Sequence, residues 1–107
     1  MWWARLGPPR GSAPALERPV AVVQGNAFNR SKLRTTVVVP LTRTVALASA
    51  PGNVLLDAGS AGLPHDSVAN VSQIITVDRR ILRRRIGQLS AGQLAAVLSG
   101  IDMVFGR

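Results

Sequence analysis

The sequence contains no cysteine, one histidine and five carboxylates in 107 residues. Without cysteine, neither a disulfide framework nor a thiolate metal site can form. Hydrolytic metal centres need grouped His, Asp or Glu ligands. Here the acids are scattered and His65 stands alone in a polar turn, Gly62 to Asp66, so no ligand spacing emerges and no cofactor is expected. Any serine, histidine and carboxylate arrangement would rest wholly on His65, and a histidine in such a turn reads as an exposed loop residue. A phosphate-binding loop of the G-x-x-x-x-G-K-[ST] type is absent. The aromatics are two Trp and two Phe, too few to stack bases across a broad sheet. Trp2 and Trp3 alternate, so one should enter the core while the other faces out, and Phe28 has either a core role or a base-stacking one. No run reaches the roughly 18 apolar residues of a membrane span. The start, Met1 to Pro9, breaks at Gly7-Pro8-Pro9 before a signal-peptide core could form, so a cytoplasmic chain without membrane association is expected.

What is abundant is arginine. Lys plus Arg number 13 against 5 Asp plus Glu, a formal charge of +8, and Lys32 is the one lysine. Such a surface attracts polyanions, and the guanidinium suits two-pronged contact with phosphate, although codon usage in G- and C-rich genomes also enriches arginine. Hydrophobic residues make up 47% and charged residues 17%, which is ample material for a core. The length suits one domain, residues 1–107.

Trp2 to Leu6 reads as a first strand. A loop follows over Gly7 to Glu17, where three prolines and two glycines rule out helical periodicity, and it places the polar residues Arg10 and Ser12 beside the sheet. The β-branched runs Pro19 to Gln24 and Thr35 to Pro40 predict buried strands, with Asn26 capping a short helical turn between them. A strand over Asn53 to Leu56 follows Pro51-Gly52, and a long one is predicted over Ser67 to Val77, with Gln73 on the face of Val71, Ile75 and Val77. Asp78 precedes a basic turn from Arg79 to Arg85, read as a solvated face running into a last strand near Gln88. Ser90 with Gln93 has the capping-box spacing. Leu94, Val97, Leu98, Ile101, Val104 and Phe105 follow at helical spacing, with Gly106 at the stop, as core or dimer contacts. Short strands and one terminal helix predict an α+β, mainly β domain, a small half-open barrel.

RNA cleavage is a chemistry these residues can support. The 2′-hydroxyl of RNA can attack the adjacent phosphorus without a metal or a protein nucleophile. The protein must then hold the phosphate in line, stabilise charge on its non-bridging oxygens and help protons move. A fixed arginine beside a hydroxyl does the second task well. Arginine is a poor general base because its pKa exceeds about 12.

The ordered segments resemble the MazF/PemK toxins of type II toxin-antitoxin systems over nearly the whole chain. Trp2 to Ser12 (WWARLGPPRGS) is similar to the family's first strand and loop, and Glu17 to Gln24 (ERPVAVVQ) to its Arg-Pro and apolar strand. Thr35 to Thr42 (TTVVVPLT) resembles the strand ending in Pro-x-Thr, Gly52 to Leu56 the next strand, and Ser67 to Asp78 (SVANVSQIITVD) the segment with a central glutamine. GQLS and the final helix complete the order. The resemblance implies an SH3-like, half-open β-barrel with a C-terminal amphipathic helix, of the CcdB/MazF type. It implies a homodimer that cuts single-stranded RNA selectively without metal, leaving 2′,3′-cyclic phosphate and 5′-hydroxyl ends, and a cognate antitoxin with an acidic tail. Arg18 matches the family's catalytic arginine and Thr42 its catalytic threonine. Ser12 and Gln73 match RNA-contacting positions, and Arg10 is added on charge. Apart from the resemblance, Arg18 could pair with Glu17 or Asp57, and Thr42 could reflect β propensity alone. Arg5 departs from an often acidic position, and Arg43 and Thr44 are placed to tune base preference. Two other readings stand beside this one: a same-fold toxin that poisons a protein such as DNA gyrase, and a basic RNA-binding module without turnover.

Overall fold

The computed structural model describes residues 1–7 and 17–107. Its strands are β1 (Trp2–Arg5), β2 (Glu17–Val22), β3 (Thr35–Thr42), β4 (Val54–Leu56), β5 (Ser67–Ala69), β6 (Ile75–Asp78) and β7 (Leu82–Arg85). The helices are the single turn α1 (Asn26–Asn29) and the C-terminal α2 (Ala91–Val104). All strand pairings are antiparallel, in the order β4-β5-β3-β2-β1-β7, with β6 also on β3. The first strand, β1, is paired on both sides, by β2 and β7.

The organising strand is β3. One edge pairs with β2, while the other is shared in series by β6 against Thr35 to Val38 and by β5 against Leu41 and Thr42. The long strand predicted over Ser67 to Val77 is therefore broken, with a 3-10 turn at Val71–Gln73 between its halves. Pro40 supplies a reason. Its carbonyl accepts from the Asn70 N–H at 3.0 Å, so its nitrogen faces the same edge and carries no hydrogen to continue the ladder. Asn53 holds the departing chain: its Oδ1 accepts from the Val71 N–H at 3.0 Å and its Nδ2 donates to Asn70 Oδ1 at 3.3 Å.

The sheet curls enough for β3 to be buried on both faces, as in a half-open barrel. Val39 faces Ala69, Val71 and Val97 of α2, and Leu41 packs with Met1, Ala21, Leu56 and Leu63. Val38, on the opposite face, packs with Ala4 and Val20. Each such side chain contributes about 1.5–3 kcal/mol by leaving water. The helix α2 begins as its sequence predicts. Ser90 Oγ accepts from the Gln93 N–H at 3.1 Å, and Gln93 Oε1 accepts from the Ser90 N–H at 2.9 Å. It docks where Gly100 meets the carbonyl of Gly52, a contact with no room for a Cβ on either residue. The buried stripe is narrower than the spacing suggests: Val97 is fully covered, whereas Leu94, Leu98, Val104 and Phe105 are exposed.

Two local expectations are corrected. The N-cap of α1 is Gly25, not Asn26, and no side chain caps it. Asn29 ties the turn down instead, donating to the Gln24 carbonyl at 3.0 Å and accepting from Thr36 Oγ1 at 2.9 Å. Phe28 has no core role, being 60% exposed on a one-turn helix that buries nothing. The basic run from Arg83 to Arg85 is solvated, as expected.

Candidate active site

Strand order decides which ends meet. β2 and β5 flank β3 and both run antiparallel to it, so their starts lie beside its end. Arg18 stands at the start of β2, Thr42 at the end of β3, and Thr42 pairs with Val68 of β5. Val20 pairs with Pro40, and carrying that register two residues further puts Arg18 opposite Thr42. Residues opposite one another share a face of the sheet.

An open cleft of about 560 Å³ lies at this end, lined by Trp3, Arg18, Thr42, Arg43, Thr44 and His65, among others. That volume is ordinary for a small-ligand site. Arg18 and Thr42 are both half-buried. Among the described residues the sole ion pair is Arg80 with Asp78 at 3.1 Å, so Arg18 is paired with neither Glu17 nor Asp57. Among the described residues its guanidinium is held by no carboxylate. Thr42 is oriented by its own turn: its Oγ1 accepts from the Thr44 N–H at 3.2 Å, which leaves the hydroxyl hydrogen to donate.

A second cleft of about 640 Å³ shares Arg18 as a wall and includes Arg5, Pro40, Gln73 and Asp78. Gln73 and Arg18 thus border one space, Arg18 and Thr42 another, and Arg18 stands between them. Asp78 accepts from the Arg80 N–H at 2.8 Å and from its guanidinium at 3.1 and 3.2 Å. The Arg80 side chain, followed by its backbone N–H, holds the Asp78 carboxyl below the usual carboxylate range. Arg10 and Ser12 lie outside the described residues. His65 is exposed, as its turn predicts, yet it also lines the first cleft, which sequence separation alone could not reveal. Among the described residues, no three His, Asp or Glu side chains group to hold a metal ion, and no helix is long and apolar enough to cross a membrane.

Residues 1–105 match the family of PemK-like, MazF-like toxins of type II toxin-antitoxin systems. The chain belongs to that family. A PemK/MazF relative from Mycobacterium tuberculosis, endoribonuclease MazF6, is 43% identical over 104 residues, covering 97% of this chain and 91% of the relative. The solved Mycobacterium tuberculosis toxin MazF-mt6 superposes with a TM-score of 0.79 at 28% identity, over 98% of this chain and 94% of that one. A mycobacterial endoribonuclease solved in complex with its cognate antitoxin shares the fold, with a TM-score of 0.77 at 22% identity, over 98% of this chain and 89% of that one. The PemK/MazF fold is therefore present here with its C-terminal helix and an all-antiparallel sheet.

Proposed function

We propose that this chain is an endoribonuclease that cuts single-stranded RNA selectively in the cleft between Arg18 and Thr42. The observation that carries the reading is the shared cleft itself, with an unpaired guanidinium and an oriented hydroxyl entering it from neighbouring strands. The Arg18 guanidinium holds a non-bridging phosphate oxygen and neutralises charge as the phosphorane forms, while the Thr42 hydroxyl donates to a phosphate oxygen. Such donors are worth most in a partly dry site and cost no reorganisation during the reaction. The 2′-hydroxyl of the substrate is the nucleophile, so the products carry a 2′,3′-cyclic phosphate and a 5′-hydroxyl, and no metal is required. Gln73 borders the adjoining cleft and contacts a neighbouring base; Arg10 and Ser12, from the preceding loop, add RNA contacts.

The partner is an acidic, disordered antitoxin tail that competes with RNA through charge. The net charge of +8 and the arginines along the two clefts, Arg5, Arg18 and Arg43, support this. A second copy of the chain completes the toxin as a homodimer in the cytoplasm, and the exposed apolar side chains of α2, Leu98 and Val104 among them, supply surface for it. Light scattering tests the dimer.

Incubation with a long single-stranded RNA in EDTA, followed by mapping of the cut ends, tests the activity. Cleavage with cyclic phosphate ends is expected from the parent, with strong loss in Arg18→Ala and Thr42→Ala. Intact RNA with a folded parent would overturn the reading in favour of a non-cleaving toxin or RNA-binding module. Adding the cognate antitoxin should block cleavage, and undiminished cutting at saturating antitoxin would reject occlusion.

A further inference from the structure

We propose that His65 is the proton-transferring residue of the Arg18–Thr42 cleft, an inference that rests on the RNA-cutting reading above. The reaction moves one proton overall, from the attacking 2′-oxygen to the departing 5′-oxygen. Neither partner already placed there suits that task. A guanidinium stays protonated, and a threonine hydroxyl is a weak acid and a weaker base. Histidine is the side chain suited to accept and donate a proton near neutral pH.

Position follows from the same strand order that joins Arg18 to Thr42. Thr42 pairs with Val68 of β5, and His65 lies three residues before Val68 in the segment that enters that strand. The starts of β2 and β5 and the end of β3 therefore deliver a guanidinium, an imidazole and a hydroxyl to one cleft. The turn that carries His65 is anchored. Ser67 Oγ, on a residue only 3% exposed, donates to the His65 carbonyl at 3.0 Å, and Asp66 Oδ1 accepts from the Ala58 N–H at 2.7 Å. Within the described residues His65 is bonded through its backbone carbonyl and its ring makes no hydrogen bond. The charged groups that line the cleft with it are Arg18, Arg43 and Glu17, while the adjacent Asp66 is turned to the Ala58 backbone.

The step balances with no further reactant. The neutral imidazole takes the 2′-hydroxyl proton as the P–O2′ bond forms, and the resulting imidazolium returns a proton to O5′ as the P–O5′ bond breaks. The ring ends neutral.

The test compares His65→Ala and His65→Gln with the parent on an RNA carrying a mapped cut site, with circular dichroism reporting the fold. A fall in kcat of about 100-fold or more is expected in both variants, with KM little changed and the pH dependence of the parent flattened. Added imidazole should restore turnover to His65→Ala, with the rescue following the buffer's own titration. Cleavage within about threefold of the parent, a loss confined to KM, recovery by glutamine, or failure of imidazole to restore any turnover would each overturn the assignment. A parent inert on RNA removes the cutting reading and this one together, whereas an active parent with an unaffected variant removes only this one.

Discussion

Arg18 and Thr42 line one cleft from neighbouring strands, across from each other in the continued β2–β3 register, and among the described residues Arg18 is bound into no ion pair. Groups held this way by a sheet cost little reorganisation when a phosphate arrives. Arg18→Ala should lower kcat about 10²- to 10³-fold, the usual cost of removing one charge-stabilising donor. Arg18→Lys should recover only part of that, because an ammonium cannot make the two-pronged contact. Thr42→Ser should outperform Thr42→Val, since serine keeps the hydroxyl that the Thr44 N–H orients. Single-turnover cleavage of a defined RNA reads all four, and equal activity of the Ser and Val variants would deny the hydroxyl a part.

Gln73 borders the cleft beside Arg18 rather than the one holding Thr42. Its amide therefore lies apart from the Thr42 hydroxyl, with Arg18 standing between the two clefts. Loss of one neutral hydrogen bond is worth about 0.5–1.5 kcal/mol, so Gln73→Ala should raise KM about two- to tenfold with kcat nearly unchanged. Cut sites mapped on a long transcript should also become less selective. A variant that loses kcat alone would place Gln73 in the chemistry instead.

How much of this could be read from the chain depends on how local the cause is. The capping box of Ser90 and Gln93 is local, and α2 begins where the sequence places it. The β-branched runs around Val20 and Val38 likewise form strands where expected. The break in the Ser67 to Val77 strand was not legible, because it depends on Pro40 of a strand some thirty positions earlier, whose nitrogen cannot donate to the neighbouring chain. Phe28 was ambiguous for a related reason: one helical turn cannot bury a ring without a neighbouring layer, and none covers it. Arg18 and Thr42 emerged through likeness to a family, with antiparallel pairing making their meeting feasible. His65 carried no sequence signal, since its place in the cleft is set by β5 joining the far edge of β3.

Asp78 gives the fold a pH dependence. It caps the 3-10 turn at Arg79–Ile81, and Ile81 packs against the cluster of Ala4, Val20 and Val38. The Arg80 side chain and backbone N–H lower the folded-state pKa of Asp78 below its unfolded value. Its stabilising effect is thus fully present above the usual carboxylate range and is lost as pH falls through the lowered value, below about pH 4. Asp78→Asn should melt at a lower temperature than the parent at pH 7, and the gap should narrow as the pH is taken down. A constant gap across that range would assign the difference to something other than this charge.

Gly92 and Gly100 both lie in α2, and alanine should act in opposite directions at the two. At Gly92 the nearest foreign atom to a new Cβ is Ser90 Oγ at 4.0 Å, so the substitution only removes backbone freedom from the unfolded chain and raises helix propensity. At Gly100 the new Cβ would collide with the carbonyl of Gly52 and lie 3.2 Å from Val71 Cγ1. Backbone stands against backbone there, and Gly52 is fixed by a φ of +82°, so neither side can yield cheaply. Overpacking of this kind costs about 1–3 kcal/mol or more, against a propensity gain of at most about 1 kcal/mol, and the clash should win. Gly92→Ala should raise the melting temperature and Gly100→Ala lower it, while kcat on RNA stays near the parent's because neither glycine lines the Arg18–Thr42 cleft. A Gly100→Ala protein as stable as the parent would mean that α2 is not seated on the Gly52 turn.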